Sequence, residues 1–224
     1  MNLLCQYTKS TIGKKTIVAV TGILLVGFLV AHLAGNLQMF AGRGESVELN
    51  KMNAYAVLLK SNALLLWTMR LGLIAIALAH IGFTISLTRQ NRAARPESYA
   101  LKKSCATVAS RTMVYGGLFL LLFIVYHLLH FTVGSAHPNL FQEHDVYQTV
   151  IDSFNVPAIA IVYILAMCTL FMHLFHGTVS LFQTLGMVNP IHQAAIKKLG
   201  IGLSIVICGG FISIPVAIWM GWIN

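Results

Sequence analysis

Five long apolar runs dominate the chain, at residues 16–40, 63–87, 113–133, 156–185 and 196–222. Each reaches the roughly 20 residues that an α-helix needs to cross a bilayer. Polar, punctuated segments separate them. Residues 41–62 carry Gly42 and Gly44, and 88–111 are basic around Pro96. Residues 134–155 hold Pro138 and three acids, and 186–195 hold Asn189 followed by Pro190. These segments read as loops. The first run is too long for the apolar part of a signal peptide, and no small-residue cleavage site closes it. The pattern predicts an all-α membrane protein, a bundle of five transmembrane helices forming a single domain over residues 1–224.

Composition agrees with that reading. Of 224 residues, 57% are hydrophobic and 9% are charged, with a mean hydropathy of +0.78. A soluble domain carries about 25% charged residues. Disorder is excluded, and so is a separate soluble domain. The net charge of +9 belongs to a chain too apolar to be a nucleic-acid binder. Its partners are expected to be membrane lipid and other proteins. The cysteines, Cys5, Cys105, Cys168 and Cys208, form neither a C-x-x-C pair nor an iron–sulfur spacing.

Charge sets the orientation. Lys9, Lys14 and Lys15 precede the first run, and Arg89, Arg92, Arg95, Lys102, Lys103 and Arg111 lie between the second and third. Lys197 and Lys198 lie between the fourth and fifth, which makes eleven basic residues on one side against Glu97 alone. The other side carries Arg43, Lys51 and Lys60 with Glu45, Glu48, Glu143, Asp145 and Asp152. The basic side is expected to be cytoplasmic, with the N-terminus there and the C-terminus outside.

The histidines carry the chemistry. Six of nine lie inside the predicted spans: His32, His80, His127, His130, His173 and His176. An ionisable residue inside a membrane is costly and marks function by default. At about 1.5 Å of rise per residue, His32 and His127 reach about 25 Å from the basic edge, near the outer face. His80 lies about 14 Å from that edge, and His173 falls in the same inner half. Two levels result, roughly 10 Å apart, each joining alternate helices. Paired imidazoles facing one another across a bundle interior are what bis-histidine haem ligation requires. Two haems b are therefore expected, one above the other.

Two helices offer a choice. His130 and His176 each lie three residues beyond a candidate, one turn away in depth. Depth favours His127 over His130 but separates His173 from His176 less well. The unused histidines are candidates for hydrogen bonds to a propionate, a quinone or water. Gly116, eleven residues before His127, is a place for a flat macrocycle to approach the backbone. Arg70 lies within the second span, where an arginine costs about 2.5–3.5 kcal/mol. Pairing with an outer-haem propionate would offset that cost, and Lys14, Lys15 or the loop between the second and third spans are candidates for the inner propionates. Asn36, Gln38 and Glu48 are candidate quinone contacts.

The sequence resembles the dihaem cytochrome b membrane subunit of succinate dehydrogenases and fumarate reductases. The resemblance extends over essentially the whole chain. It rests on His32 with Asn36 in the first span, Arg70 before Leu78, Ala79 and His80 in the second, and Val125, Tyr126 and His127 in the third. In the fourth it rests on His173, His176 and Gly177, followed by Gln183 and Gly186. One histidine on each of four helices, at spacings of 48, 47 and 46 residues, is the stronger signal. The resemblance implies His32 and His127 as axial ligands of an outer haem and His80 and His173 as those of an inner one. It also implies a flavoprotein subunit and an iron–sulfur subunit on the cytoplasmic face of a bacterial membrane. The implied electron partner is a membrane quinone, often menaquinone in dihaem members. The chain itself has neither a dinucleotide-binding G-x-G-x-x-G nor cluster cysteines, so dicarboxylate chemistry falls to its partners. Two rival readings are a cytochrome b anchor of another quinone-linked complex and a histidine-lined transporter of metal ions or protons.

Overall fold

The computed structural model describes residues 6, 8–94 and 108–223. Arg95, Glu97, Lys102, Lys103, Cys5 and Cys105 lie outside the described residues. The described chain forms seven α-helices. They are α1 (Thr11–Asn36), α2 (Lys51–Ser61), α3 (Ala63–Ala93), α4 (Val108–Leu128), α5 (Val146–Phe154), α6 (Pro157–Thr184) and α7 (Gln193–Trp219). A 3-10 turn (Leu37–Ala41) extends α1, and a π-helical turn (Leu129–Val133) extends α4. Five of the helices are long and apolar enough to span a membrane: α1, α3, α4, α6 and α7.

Helix starts are written locally. The side chains of Ser10, Asn50, Asn62 and Asp145 accept hydrogen bonds from the backbone N–H groups of Gly13, Asn53, Leu65 and Gln148 at 2.9–3.1 Å. Pro157 opens α6, where its missing N–H costs nothing. Asn62 both ends α2 and caps α3.

Two of the expected loops are more ordered than the sequence suggested. Segment 41–62 contains α2, and segment 134–155 contains α5. They pack together over one end of the bundle. The core there gathers Met39, Met52, Tyr147, Val150, Phe154, Tyr163 and Ile218. Helix α5 buries Tyr147, Val150, Ile151 and Phe154, the one-stripe spacing of an amphipathic helix. Asn53 ties the two helices. Its Nδ2 donates to Asp145 Oδ1 at 2.9 Å, and its Oδ1 accepts from the N–H of Tyr147 at 3.0 Å. Asn53→Ala removes the side-chain acceptor of the Tyr147 N–H and one of the donors to Asp145, whose Oδ1 keeps the Gln148 N–H, and loss of such a buried partner costs about 1–3 kcal/mol. It is expected to lower the thermal midpoint of the protein in lipid-supplemented detergent by several degrees, read by circular dichroism. An unchanged midpoint would show that the cap is not part of the cooperative unit.

The spans pack in a defined order. Helix α3 lies on α1, α1 on α6, and α6 on α4, while α7 packs against both α6 and α1. Lys14 Nζ donates to Ser86 Oγ at 2.9 Å, which fixes the start of α1 beside the end of α3. Close approach is bought by glycine: a Cβ on Gly210 of α7 would lie 2.8 Å from Leu33 of α1. Neither α1 with α4 nor α3 with α6 is among the packed pairs. No side chain of α3 is buried. Helices α3, α1, α6 and α4 thus form a quadrilateral, and among the described residues its fourth side, between α3 and α4, is not closely packed.

Candidate functional site

The histidines of alternate spans reach across the diagonals of this quadrilateral. His32 of α1 and His127 of α4 have ring centres 5.9 Å apart. His80 of α3 and His173 of α6 have ring centres 6.4 Å apart. The helices bearing each pair are not closely packed among the described residues, and the facing rings span the gap between them. Two metal–nitrogen bonds of about 2 Å, plus roughly 1 Å from each nitrogen to its ring centre, also come to about 6 Å.

Glycines clear the space beside the rings. A Cβ on Gly22 of α1 would stand 3.5 Å from His80 Cε1, and one on Gly117 of α4 would stand 4.0 Å from His173 Cε1. Gly22 precedes His32 by ten residues, and Gly117 precedes His127 by ten. The two levels are therefore about 15 Å apart along the helices. That is wider than the roughly 10 Å expected from the sequence. The expectation counted from loop charges, but α1 and α3 run past those charges to Thr11 and Ala93.

Hydrogen bonds set the His80 tautomer. The Thr21 hydroxyl donates to the Ile17 carbonyl at 2.7 Å, so its oxygen is left to accept from His80 Nδ1–H at 3.1 Å. That leaves the Nε2 of His80 with a free lone pair. His173 Nδ1 is buried without a hydrogen-bond partner. An orphaned buried nitrogen is uncommon and asks for an explanation. His32 is stacked on Phe28 with ring centres 5.3 Å apart and lies 5.7 Å from Phe211.

The two ambiguous histidines fall apart from the pairs. His130 is 1% exposed, and both its nitrogens are engaged, Nδ1 with Tyr163 Oη at 2.9 Å and Nε2 with Ser153 Oγ at 3.0 Å. The hydrogen bonds expected to a propionate or quinone are made to protein instead. His176 is half-buried and makes no ring contact or side-chain hydrogen bond among the described residues.

The remaining candidates scatter. Gly116 faces Thr169 of α6 at an ordinary 3.4 Å. It serves helix packing, while its neighbour Gly117 looks toward the rings. Lys15 is exposed, and Lys14 turns into the α1–α3 interface. Asn36 Nδ2 donates to the His32 carbonyl at 2.7 Å and lies 3.4 Å from the ring Nε2. Gln38 Nε2 meets the Ala34 carbonyl at 3.5 Å, and Glu48 is exposed in the cap. Arg70 lies over the Trp67 ring at 5.3 Å. It lines an open cleft of about 520 Å³ with Lys60, Leu66, Thr132, Phe141 and Glu143. Arg70 is ten residues from His80, which brings it level with His32 and His127.

Sequence reading missed Thr21, Tyr163, Ser153, Gly22 and Gly117. The two glycines were within reach, because each lies ten residues before a histidine on its own helix. The hydroxyls were not, since serine, threonine and tyrosine recur throughout the spans without a pattern.

Five helices long and apolar enough to cross a bilayer define an integral membrane protein, with two pairs of histidines facing one another inside the bundle. A family model for the succinate dehydrogenase/fumarate reductase transmembrane subunit matches residues 88–212. That is more than half of the chain, and the chain belongs to this family. The match includes His127 and His173 and begins after His32 and His80. No curated protein and no solved structure matches the chain.

Proposed function

We propose that the chain is the dihaem cytochrome b anchor of a succinate:quinone oxidoreductase, working as succinate dehydrogenase or quinol:fumarate reductase. The observation that carries this reading is the two histidine pairs, with rings about 6 Å apart on helices that are not closely packed among the described residues. His32 and His127 would hold one haem b, and His80 and His173 the other. Haem b, when bound, supplies one-electron transfer at each level. The chain holds the ligands on four rigid helices, keeps water from them with apolar side chains, and presents lone pairs inward. Each pair offers two donors, and no group of three His, Cys, Asp or Glu suited to a metal occurs among the described residues. A bare transition-metal ion takes four or more ligands, whereas a porphyrin leaves only the two axial positions of iron to the protein. This favours a haem protein over a metal transporter.

Arg70, level with the capped-end pair and facing the cleft, is suited to a propionate there. Lys9, Lys15, Arg89, Arg92, Lys197 and Lys198 are exposed at the opposite end. That end would be cytoplasmic by the positive-inside rule and would receive the iron–sulfur and flavoprotein subunits. Quinone, menaquinone by resemblance, would react near the capped-end pair, where Asn36 lies 3.4 Å from His32 Nε2.

Thr21→Val removes the acceptor for His80 Nδ1–H while keeping shape. Loss of such a partner weakens metal binding by about 10–100-fold. The expected result is a shifted midpoint for one haem and an unchanged midpoint for the other in a redox titration. Two unchanged midpoints would remove Thr21 from the site. The reading as a whole is tested by gentle purification from native membranes. A flavoprotein and an iron–sulfur protein with succinate:quinone reductase activity are expected to accompany the chain. Copurification with a hydrogenase or formate dehydrogenase would overturn it.

A further inference from the structure

The capped end holds a buried hydrogen-bond chain whose direction can be worked out from one contact. Ser153 Oγ donates to the Thr149 carbonyl at 2.6 Å, the shorter of its two contacts. Its single proton is then spent, so it accepts from His130 Nε2–H at 3.0 Å. A neutral His130 has its lone pair at Nδ1, which accepts from the Tyr163 hydroxyl at 2.9 Å. The proton of Tyr163 is spent in turn. Its oxygen can only accept from His127 Nδ1–H, which stands 3.4 Å away. The lone pair of His127 is thereby left at Nε2.

Each link depends on a different element. Ser153 sits on α5 of the cap, His130 on the π-helical turn, Tyr163 on α6 and His127 on α4. The widened turn at Leu129–Val133 carries His130 toward Ser153 and Tyr163, where it is almost fully buried. The chain is enclosed by Phe123, Phe131 and Phe154, each with its ring centre 5.0–5.6 Å from that of Tyr163. Water has little access to scramble its direction. Run the other way, the same chain would put a proton on His127 Nε2 and spoil it as a ligand.

We infer that Ser153, His130 and Tyr163 form a tautomer lock that holds His127 with its Nε2 lone pair available to iron. The inference rests on the proposed role of His127 as an axial ligand. His130 and Tyr163 are positioning residues, acting through His127. A partner accepting from Nδ1–H raises the basicity of the ligand, which favours ferric iron and lowers the potential. The cap thus helps to tune one haem.

The test uses the complete complex and four variants, with haem count, redox titration and haem transfer to apomyoglobin as readouts. Tyr163→Phe is expected to keep two haems, to raise the midpoint of one and leave the other fixed, and to speed loss of that haem about tenfold. His130→Leu should do the same, because the Tyr163 hydroxyl is then free to donate to His127. His130→Gln should restore wild-type values: its Oε1 accepts from Tyr163 and its Nε2 donates to Ser153, the same direction. If His130→Leu and His130→Gln behave alike, the lock is overturned, even if Tyr163→Phe does not assemble. If His127→Ala removes a haem while Tyr163→Phe changes neither potential nor transfer rate, the lock fails and the ligand reading stands. If His127→Ala keeps both haems, the ligand reading fails first.

Discussion

His173→Ala is expected to leave one haem per chain where the proposed function gives the unaltered protein two, and His176→Ala is expected to leave both. The first half follows from geometry. His173 faces His80 across a gap that the two helices do not close by packing, with ring centres 6.4 Å apart. Removing it would leave His80 alone to hold a haem in that site. His176 faces no other ring, and its loss changes only local packing. The same contrast holds at the other level. His32→Ala and His127→Ala each remove the capped-end haem, while His130→Gln spares it. Haem content by the pyridine haemochromogen method, per copy of the chain, reads these outcomes directly. Loss of a haem in His176→Ala with retention in His173→Ala would reverse the assignment.

Filling the space at Gly22 should remove the same haem without touching a histidine. A Cβ at this position stands 3.5 Å from His80 Cε1, ordinary van der Waals contact. Gly22→Ala should therefore keep two haems. A phenylalanine cannot be placed there without driving the His80 ring from its place. Overpacking of this kind typically costs about 1–3 kcal/mol in a well-filled core. Here the ring can move instead into the gap between α3 and α6. Gly22→Phe is expected to keep the capped-end haem and lose the other, with the chain still accumulating in the membrane. Retention of both haems would mean that filling this space does not displace the His80 ring.

Much of this site was legible before the fold. Ionisable residues are so unfavourable in lipid that six histidines in apolar runs stand out at once. Counting at 1.5 Å per residue then sorted His32 with His127 and His80 with His173, and these are the side chains that meet. The five spans were legible for the same reason, since a bilayer demands length and apolarity that soluble helices rarely combine. Helices α2 and α5 were not. Each is short and lies in a segment punctuated by glycine, proline or acids, and in so apolar a chain such segments read as loops. The stripe Tyr147, Val150, Ile151 and Phe154 was the available signal. The π-helical turn, which ends at Gly134 in the left-handed region, had no such signal. That turn separates His130 from His127, and sequence spacing alone treats the pair as ordinary neighbours one turn apart.

The central claim is that four histidines at two levels hold two haems. The most direct measurement is the haem b content of the purified, lipid-supplied complex per copy of this chain, by pyridine haemochromogen and quantitative amino-acid analysis. The account predicts two. One haem would contradict the pairing at one level, and none would contradict the cytochrome reading altogether.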